Sequence, residues 1–572
     1  MASVAEIDGL TVPTAAEPAA AAAYSVRLLD SLLGTTYTGA AMRIRRVTGT
    51  GNTGNDDEAD VAFDSGVISL DSAVSNFSAG GSNATTLGQF LNVGTVNGTA
   101  YTDADSLSPN TAAAYVDEWK DQSGNANHAE QSTPASQPQI HLGTVNTDLI
   151  LENGKPVLQS LGSSSNLYNS SGLTSYDPLS VFAVSSINNR AILLSIGSTS
   201  LDGNIVIALS GNTGSGASGG GASVTTLYKD GSSWTPTRDN VYDDYLNTQR
   251  LTSAINVDLN ASSGEQYNLG TAEGFWHNHN YQEFIIYPID QDTAGNRTGI
   301  EQNINSNYLI YQPTDAPTSG LLATYTGAAA AYSVRQLSDK AILCMRIRRD
   351  MGTGNPGDDD EINIGFDSNG DLDTQAIADF CGTGTGYVTR WWDQSVNGNH
   401  ANQDGQSLQP QIYNGTAVFT EGSAGNEKPI IRSTIDATLN YPLGNNPQQI
   451  FGVFKATQAQ TNQAILGSSN DAYLLLMTSQ GSSSELRFSR TLTRIDQSTY
   501  TGTTRAQALA AFANQVVLYC DYTTTATNGN MHFGFDQSFV MSDIQEVVIF
   551  PDTATHTVAD VEDSINSYYS VY

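Results

Sequence analysis

The chain repeats itself, and a repeat of this kind is satisfied by two copies of one domain, each closing its own core. Four blocks recur in the same order. Ala23-Tyr24-Ser25-Val26-Arg27 returns as Ala331-Tyr332-Ser333-Val334-Arg335, and Met42-Arg43-Ile44-Arg45-Arg46 as Met345-Arg346-Ile347-Arg348-Arg349. Asp121-Gln122-Ser123-Gly124-Asn125-Ala126-Asn127-His128 returns as Asp393-Gln394-Ser395-Val396-Asn397-Gly398-Asn399-His400. Gln282-Glu283-Phe284-Ile285-Ile286-Tyr287-Pro288 returns as Gln545-Glu546-Val547-Val548-Ile549-Phe550-Pro551. Arg43 lies farther from Asp121 than Arg346 does from Asp393, so the first copy carries an insertion. The extra residues, around 69–111, are rich in Ser, Gly, Asn and Thr and read as a surface excursion, because closure entropy grows slowly with loop length.

Only 14% of the residues are charged, while glycine is abundant at 53. That mix suits short strands and polar turns better than long helices. The last block alternates, with Phe284 and Ile286 on one face and Glu283, Ile285 and Tyr287 on the other. An all-β fold follows: two tandem β-sandwich domains with short helices at the domain ends, over 298–308 and 557–568. The expected boundaries are an N-terminal anchor segment at 1–22, a first domain at 23–311, a Pro/Thr/Ser linker at 312–322 and a second domain at 323–572.

The net charge is −34, which repels phosphate backbones and anionic lipid and argues against a nucleic-acid or membrane partner. The arginine blocks sit beside the acidic runs Asp56-Asp57-Glu58 and Asp358-Asp359-Asp360-Glu361, so they read as strands paired with carboxylates rather than as a basic patch. A shared cation site in those runs is the alternative. The first residues lack a basic region and an apolar stretch, so no secretory signal is expected, and no apolar run reaches membrane-spanning length. The three cysteines, Cys344, Cys381 and Cys520, all fall in the second half, which argues against a disulfide framework.

The order Ala-Tyr-Ser-Val-Arg, Arg-Ile-Arg-Arg, an acidic stretch, Gly-Phe-Asp and Trp-x-Asp-Gln-Ser-x-Asn-x-Asn-His resembles the first part of arabinofuranosidase B catalytic domains. The closing Gln-Glu-Val-Val-Ile-Phe-Pro, followed by a helix ending Tyr-Tyr-Ser-Val-Tyr, is similar to the end of concanavalin A-like, laminin-G-like jelly rolls. The resemblance implies that each sandwich is a jelly roll. Domains of this kind also occur in structural proteins of tailed phages. The catalytic motifs of the resembled enzymes have no counterpart in this sequence. Glu283 and Glu546 open the last strand, where such jelly rolls carry a structural glutamate, so no catalytic residue is assigned.

The Asp-Gln-Ser turn is the leading site candidate. Asp121, Asn125 and His128, with Asp393, Asn397 and His400, carry groups that hydrogen-bond sugar hydroxyls, and Trp119, Trp391 or Trp392 could stack on a pyranose face. The competing reading is that Asp and Asn cap their own backbone and that the tryptophans are core. Of these, Trp392 is expected to be the exposed one, because the first copy has Lys120 there. Asp367, Asn369, Asp371 and Asp373 alternate at a spacing that could wrap Ca²⁺, though a polar hairpin explains them as well. His277 and His279 form a conceivable zinc pair with no equivalent in the second copy and read as surface or core histidines.

The functional expectation from sequence is a non-enzymatic virion structural protein of a tailed phage: a head decoration, fibre or tail-surface protein. It would sit on the particle surface, oligomeric, with capsid or tail proteins and host-surface glycans as partners. The rivals are a glycan-processing arabinofuranosidase-type hydrolase and a cell-surface lectin-like adhesin.

Overall fold

A computed structural model of the chain describes residues 19–34, 36–49, 55–78, 82–102, 111–160, 167–169, 178–189, 191–196, 204–208, 223–258, 267–269, 279–292, 295–352, 359–433, 439–441, 448–456, 464–468, 475–476, 492–502, 507, 510–522, 531–533 and 542–572. The chain divides into two units, Met1–Ile310 and Tyr311–Tyr572. Each is a sandwich-like body of antiparallel strands with few, short helices, as the composition and turn density predict.

In the first unit the opening strand, Ala22–Ser25, pairs with the closing strand, His279–Tyr287. On its other side the closing strand pairs with Leu179–Ile187, and Arg250–Asp258 and Ser223–Lys229 extend that run. A second run places Glu58–Val61, Met42–Val47, Ala113–Trp119 and Gln139–Leu142 side by side. The second unit repeats both runs. Ala330–Ser333 joins Ser542–Pro551, Gln448–Ala456, Val516–Tyr522 and Leu492–Ile495. Glu361–Ile364 joins Met345–Asp350, Thr385–Trp391 and Gln411–Asn414. Even the irregularities are copied: the register shifts between Arg43 and Ile44, and again between Arg346 and Ile347. An extra residue at one place in both sheets is a bulge kept through the duplication.

The closing strand does not alternate in burial; every residue from His279 to Tyr287 is buried. The helix that follows reaches this strand through Tyr308, whose hydroxyl donates to the Gln282 carbonyl and to Glu283. Arg297–Tyr308 turns Ile300, Ile304 and Tyr308 inward at helical spacing and packs on Arg250–Asp258. Its counterpart Val558–Tyr569 does the same with Val561, Ile565 and Tyr569 on Val516–Tyr522 and Gln448–Ala456. Burying each such side chain is worth about 1.5–3 kcal/mol, which a short helix needs because propensity alone does not hold it.

The acidic runs meet the arginine strands residue by residue. Arg43 reaches Glu58 at 3.0 Å and Asp60 at 2.9 Å, Arg45 reaches Asp56 at 2.6 Å, and Arg46 reaches Asp57 at 3.3 Å. Arg346, Arg348 and Arg349 reach Glu361, Asp359 and Asp360 at 2.6, 2.5 and 2.5 Å; Asp358 lies outside the described residues. The exposed pairs contribute little. Arg46–Asp57 is buried on both sides, so losing one partner there would strand a charge.

The insertion around 69–111 is not only a surface excursion. It carries the helix Leu87–Leu91, whose Leu87, Phe90 and Leu91 are fully buried. Arg46 lies over the Phe90 ring at 4.2 Å and donates to the Phe90 carbonyl at 2.8 Å. Arg349 does the same with Phe380 of the helix Thr374–Cys381. The sequence between the blocks hides this shared helix because its composition is that of a loop. Residues 312–322 are tied to the second unit: Gln312 accepts from the Ile342 and Leu343 amides, Asp339 caps Thr318 and Ser319, and Leu321 and Leu322 are buried.

Candidate functional site

The repeated blocks converge on one polar node in each unit. The Asp121 carboxylate accepts the amides of Ala23, Ser123 and Asn127, each at 2.9 Å, and the Ser123 hydroxyl at 2.8 Å. Asp393 accepts from Ala331, Ser395 and Asn399 at 2.8, 2.9 and 2.9 Å, and from the Ser395 hydroxyl at 2.9 Å. Burial pushes the Asp393 carboxyl above its ordinary value, against the pull of these donors. Gln122 donates to the carbonyls of Ser25 and Arg27 and accepts from the Leu29 amide, and Gln394 repeats this with Ser333, Arg335 and Leu337. Asn125 donates to the Ala20 carbonyl at 2.9 Å, and Asn397 to that of Ala328 at 2.8 Å. These side chains bolt the turn to the opening strand.

His128 and His400 accept the amides of Asp121 and Asp393 through Nδ1, at 3.0 and 3.2 Å. Burial and the nearby Arg390 lower the His400 pKa to about 4, so this imidazole stays neutral. Trp119 and Trp391 are fully buried and donate to the Ser25 and Ser333 carbonyls. Trp392, expected to be exposed, is only 6% exposed. His400 meets its ring edge-on at 4.5 Å, and Arg390 lies over it at 4.8 Å. Lys120, in the same place, instead reaches Glu118 at 2.5 Å. The tryptophan is covered because Arg390 and Asn402 replace Glu118 and Glu130 around it, with Arg390 bonded to Asn402 at 2.5 Å.

The recurring glutamates complete the node. Glu283 is fully buried and accepts from the Ser25 hydroxyl at 2.7 Å, Arg27 Nε and Nη2 at 2.8 and 2.9 Å, and the Tyr308 hydroxyl at 3.1 Å. Glu546 accepts from Ser333, Arg335 Nε, Arg335 Nη2 and Tyr569 at 2.7, 2.7, 2.9 and 3.2 Å. A bidentate arginine and two hydroxyls leave neither carboxylate open to a substrate.

A second polar patch sits beside the node, and its residues differ between units. A short hairpin carries Glu152 in one and Glu421 in the other. Gln282 and Gln545 hold these hairpins through the Glu152 and Glu421 carbonyls, at 3.1 and 3.3 Å. In the first unit the neighbours are amides and a hydroxyl: Asn280 donates to Ser186 at 3.2 Å and accepts from Gln159 and Asn188. Burial pushes the Glu152 carboxyl up to about 7, opposed by Ser186 and Asn280. In the second unit Arg432 grips Asp543 with two bonds of 2.8 Å, and Lys455 reaches Glu421 at 2.7 Å. Burial raises the Asp543 pKa despite Arg432. Sequence reasoning missed this patch because its shared glutamate stands at different distances before the Lys-Pro pair in the two copies and its other residues have diverged; comparing Asn280 with Asp543, just before the last block, is the signal that finds it.

The candidate Ca²⁺ residues serve separate local roles. Asp367 accepts the amides of Asn369 and Asp371 at 2.8 and 2.9 Å, and Asn369 donates to it. Asp371 meets Lys428 and Tyr568, while Asp373 caps the helix Thr374–Cys381 through the Ala376 amide. Among the described residues, no three His, Cys, Asp or Glu side chains gather as a metal-binding group. His279 is buried with its ring 4.2 Å from that of Tyr281; His277 lies outside the described residues.

No family model and no curated protein matches the chain. Solved structures that match include an arabinofuranosidase complexed with arabinofuranosyl-α-1,2-xylobiose, at 14% identity and a TM-score of 0.28, covering 42% of this chain and 61% of that one. A GH54 α-L-arabinofuranosidase with a cyclic sulfate inhibitor matches at 15% identity and a TM-score of 0.24, covering 42% of this chain and 62% of that one. A point mutant of a GH54 α-L-arabinofuranosidase with 4-nitrophenyl α-L-arabinofuranoside matches at 14% identity and a TM-score of 0.26, again covering 42% and 62%. The chain spans about three fifths of the length of these structures. The reading as a phage virion protein is corrected: these three matching structures are arabinofuranosidases, and none is a virion protein.

Proposed function

We propose that the protein is a glycan-processing protein of the arabinofuranosidase type, with two copies of that scaffold in one chain. The node is the observation that supports this reading. The residues on which the sequence resemblance rests hold one another: Ser25 and Glu283 meet at 2.7 Å although 258 positions apart, and Ser333 and Glu546 meet at 2.7 Å in the second unit. A resemblance of composition alone has no reason to gather distant blocks into one cluster twice.

Cleaving a glycosidic bond needs two carboxyl groups flanking it, and the node glutamates do not supply them. Among the described carboxyls, Glu152 is held by burial so that it keeps a proton near neutral pH, as a general acid requires. The test is incubation of the full chain with 4-nitrophenyl α-L-arabinofuranoside and with arabinan. Release of nitrophenol or arabinose is expected, with Glu152→Gln lowering it. Glu283→Gln and Glu546→Gln should lower stability by about 3–5 kcal/mol, as breaking a buried pair does, and leave the pH profile of the remaining turnover unchanged. A lectin-like binding role is the second reading, favoured by the engagement of Asp543 and Glu421 with Arg432 and Lys455. Binding of arabinan without release selects it; neither binding nor release overturns both.

A further inference from the structure

We propose that the last helix of the second unit, Val558–Tyr569, is a pH-responsive latch that holds tightest when Glu562 is uncharged and loosens as that carboxyl ionises. Glu562 is fully buried where the helix packs on the sheet. Among the described residues, neither of its carboxylate oxygens accepts a hydrogen bond, and Arg494 faces it at 2.9 Å as an ion pair only. Arg494 is itself turned aside, donating through Nε and Nη2 to the Gln497 carbonyl at 3.2 and 2.9 Å.

The first unit shows what a settled version looks like. Glu301, at the same place on its helix, accepts from Ser253 at 2.7 Å and from Arg297 at 2.5 Å, one donor for each oxygen. In the second unit the hydroxyl is replaced by Tyr519. The cation has moved from the helix to the strand position that Tyr228 fills in the first unit. The other charged or titratable groups acting around Glu562 are Asp563 on its own helix, Asp496 in the adjoining turn, and Tyr519 and Tyr572. His556, just before the helix, packs on Phe451 and Phe550, and burial lowers its pKa, so it does not charge near neutrality.

Burial, reinforced by Asp563 and Asp496, carries the Glu562 pKa up to about 7 against the pull of Arg494. A carboxyl whose folded value is raised stabilises the folded state below its unfolded value, and that contribution is lost as pH rises through the folded one. The helix also delivers Tyr569 to Glu546, so loosening it reaches the node.

The test is hydrogen exchange of the full chain at pH 6 and pH 8, expressed as protection factors for 558–569. Protection is expected to fall by about tenfold per pH unit as pH rises from the ordinary carboxylate range to the Glu562 titration point and to level off above it, with a smaller change over 297–308. Glu562→Gln should abolish the pH dependence, and Arg494→Gln should move its midpoint upward. Equal protection at both pH values, or an unchanged dependence in a folded Glu562→Gln variant, overturns the latch. If Glu562→Gln does not fold, a midpoint unmoved by Arg494→Gln overturns it instead.

Discussion

At the scale of single residues, the two Asp-Gln-Ser turns use one backbone and place their glycines differently. The first turn takes positive φ at Gly124 (86°) and Ala126 (56°), and the second at Val396 (67°) and Gly398 (71°). A β-branched residue in that region is an outlier, costing about 1–2 kcal/mol relative to glycine. Val396→Gly is therefore expected to raise the Tm of the second unit. Gly124→Ala and Gly398→Ala should each lower stability by about 1 kcal/mol. No atom lies within 4 Å of the added Cβ at either glycine, so the cost is conformational rather than steric. Calorimetry on the full chain checks both signs, and a stabilising Gly398→Ala would contradict the assignment. The valine persists because Asp393 and Asn397 hold the turn at both ends.

At the scale of elements, the sequence was legible wherever both copies needed the same residue type. The arginine strand and its acidic run paired as read, because alternating charge on adjacent strands has one economical register. The fold class followed from turn density and the lack of long amphipathic stretches. The covering of Trp392 was not legible, since it depends on Arg390, two residues earlier, and His400, at the far end of the turn, closing over the ring. Neither was the helix Thr374–Cys381, because the Asp367-to-Asp373 run before it has the look of an ion loop. Its last member is a helix cap, and Asp373→Ala should cost about 1 kcal/mol and fray that helix without altering any response to added Ca²⁺. A Ca²⁺-dependent rise in Tm that Asp373→Ala removes would restore the cation reading. The polar patch around Glu152 and Glu421 was not legible because the glutamate recurs across hairpins of different length, while its neighbours change charge, Asn280 in one unit and Asp543 in the other.

At the scale of the whole molecule, a net charge of −34 acts against compactness. Its repulsion is screened over about 8 Å at physiological ionic strength. Raising NaCl from low concentration to half-molar is expected to increase Tm, the gain from damped self-repulsion exceeding what the exposed ion pairs lose; a decrease would show that those pairs dominate. A different consequence follows from the pairing of each opening strand with the end of its own unit. A ribosome emits Ala22–Ser25 long before His279–Tyr287, so the first sandwich stays unsealed through most of its own translation. The strand that opens the second unit, Ala330–Ser333, has the same sequence, Ala-Ala-Tyr-Ser. Each opening strand is thus a template for either closing strand. Chain order during synthesis keeps the partners apart, whereas refolding from denaturant offers both at once and invites exchange of strands between units and between chains.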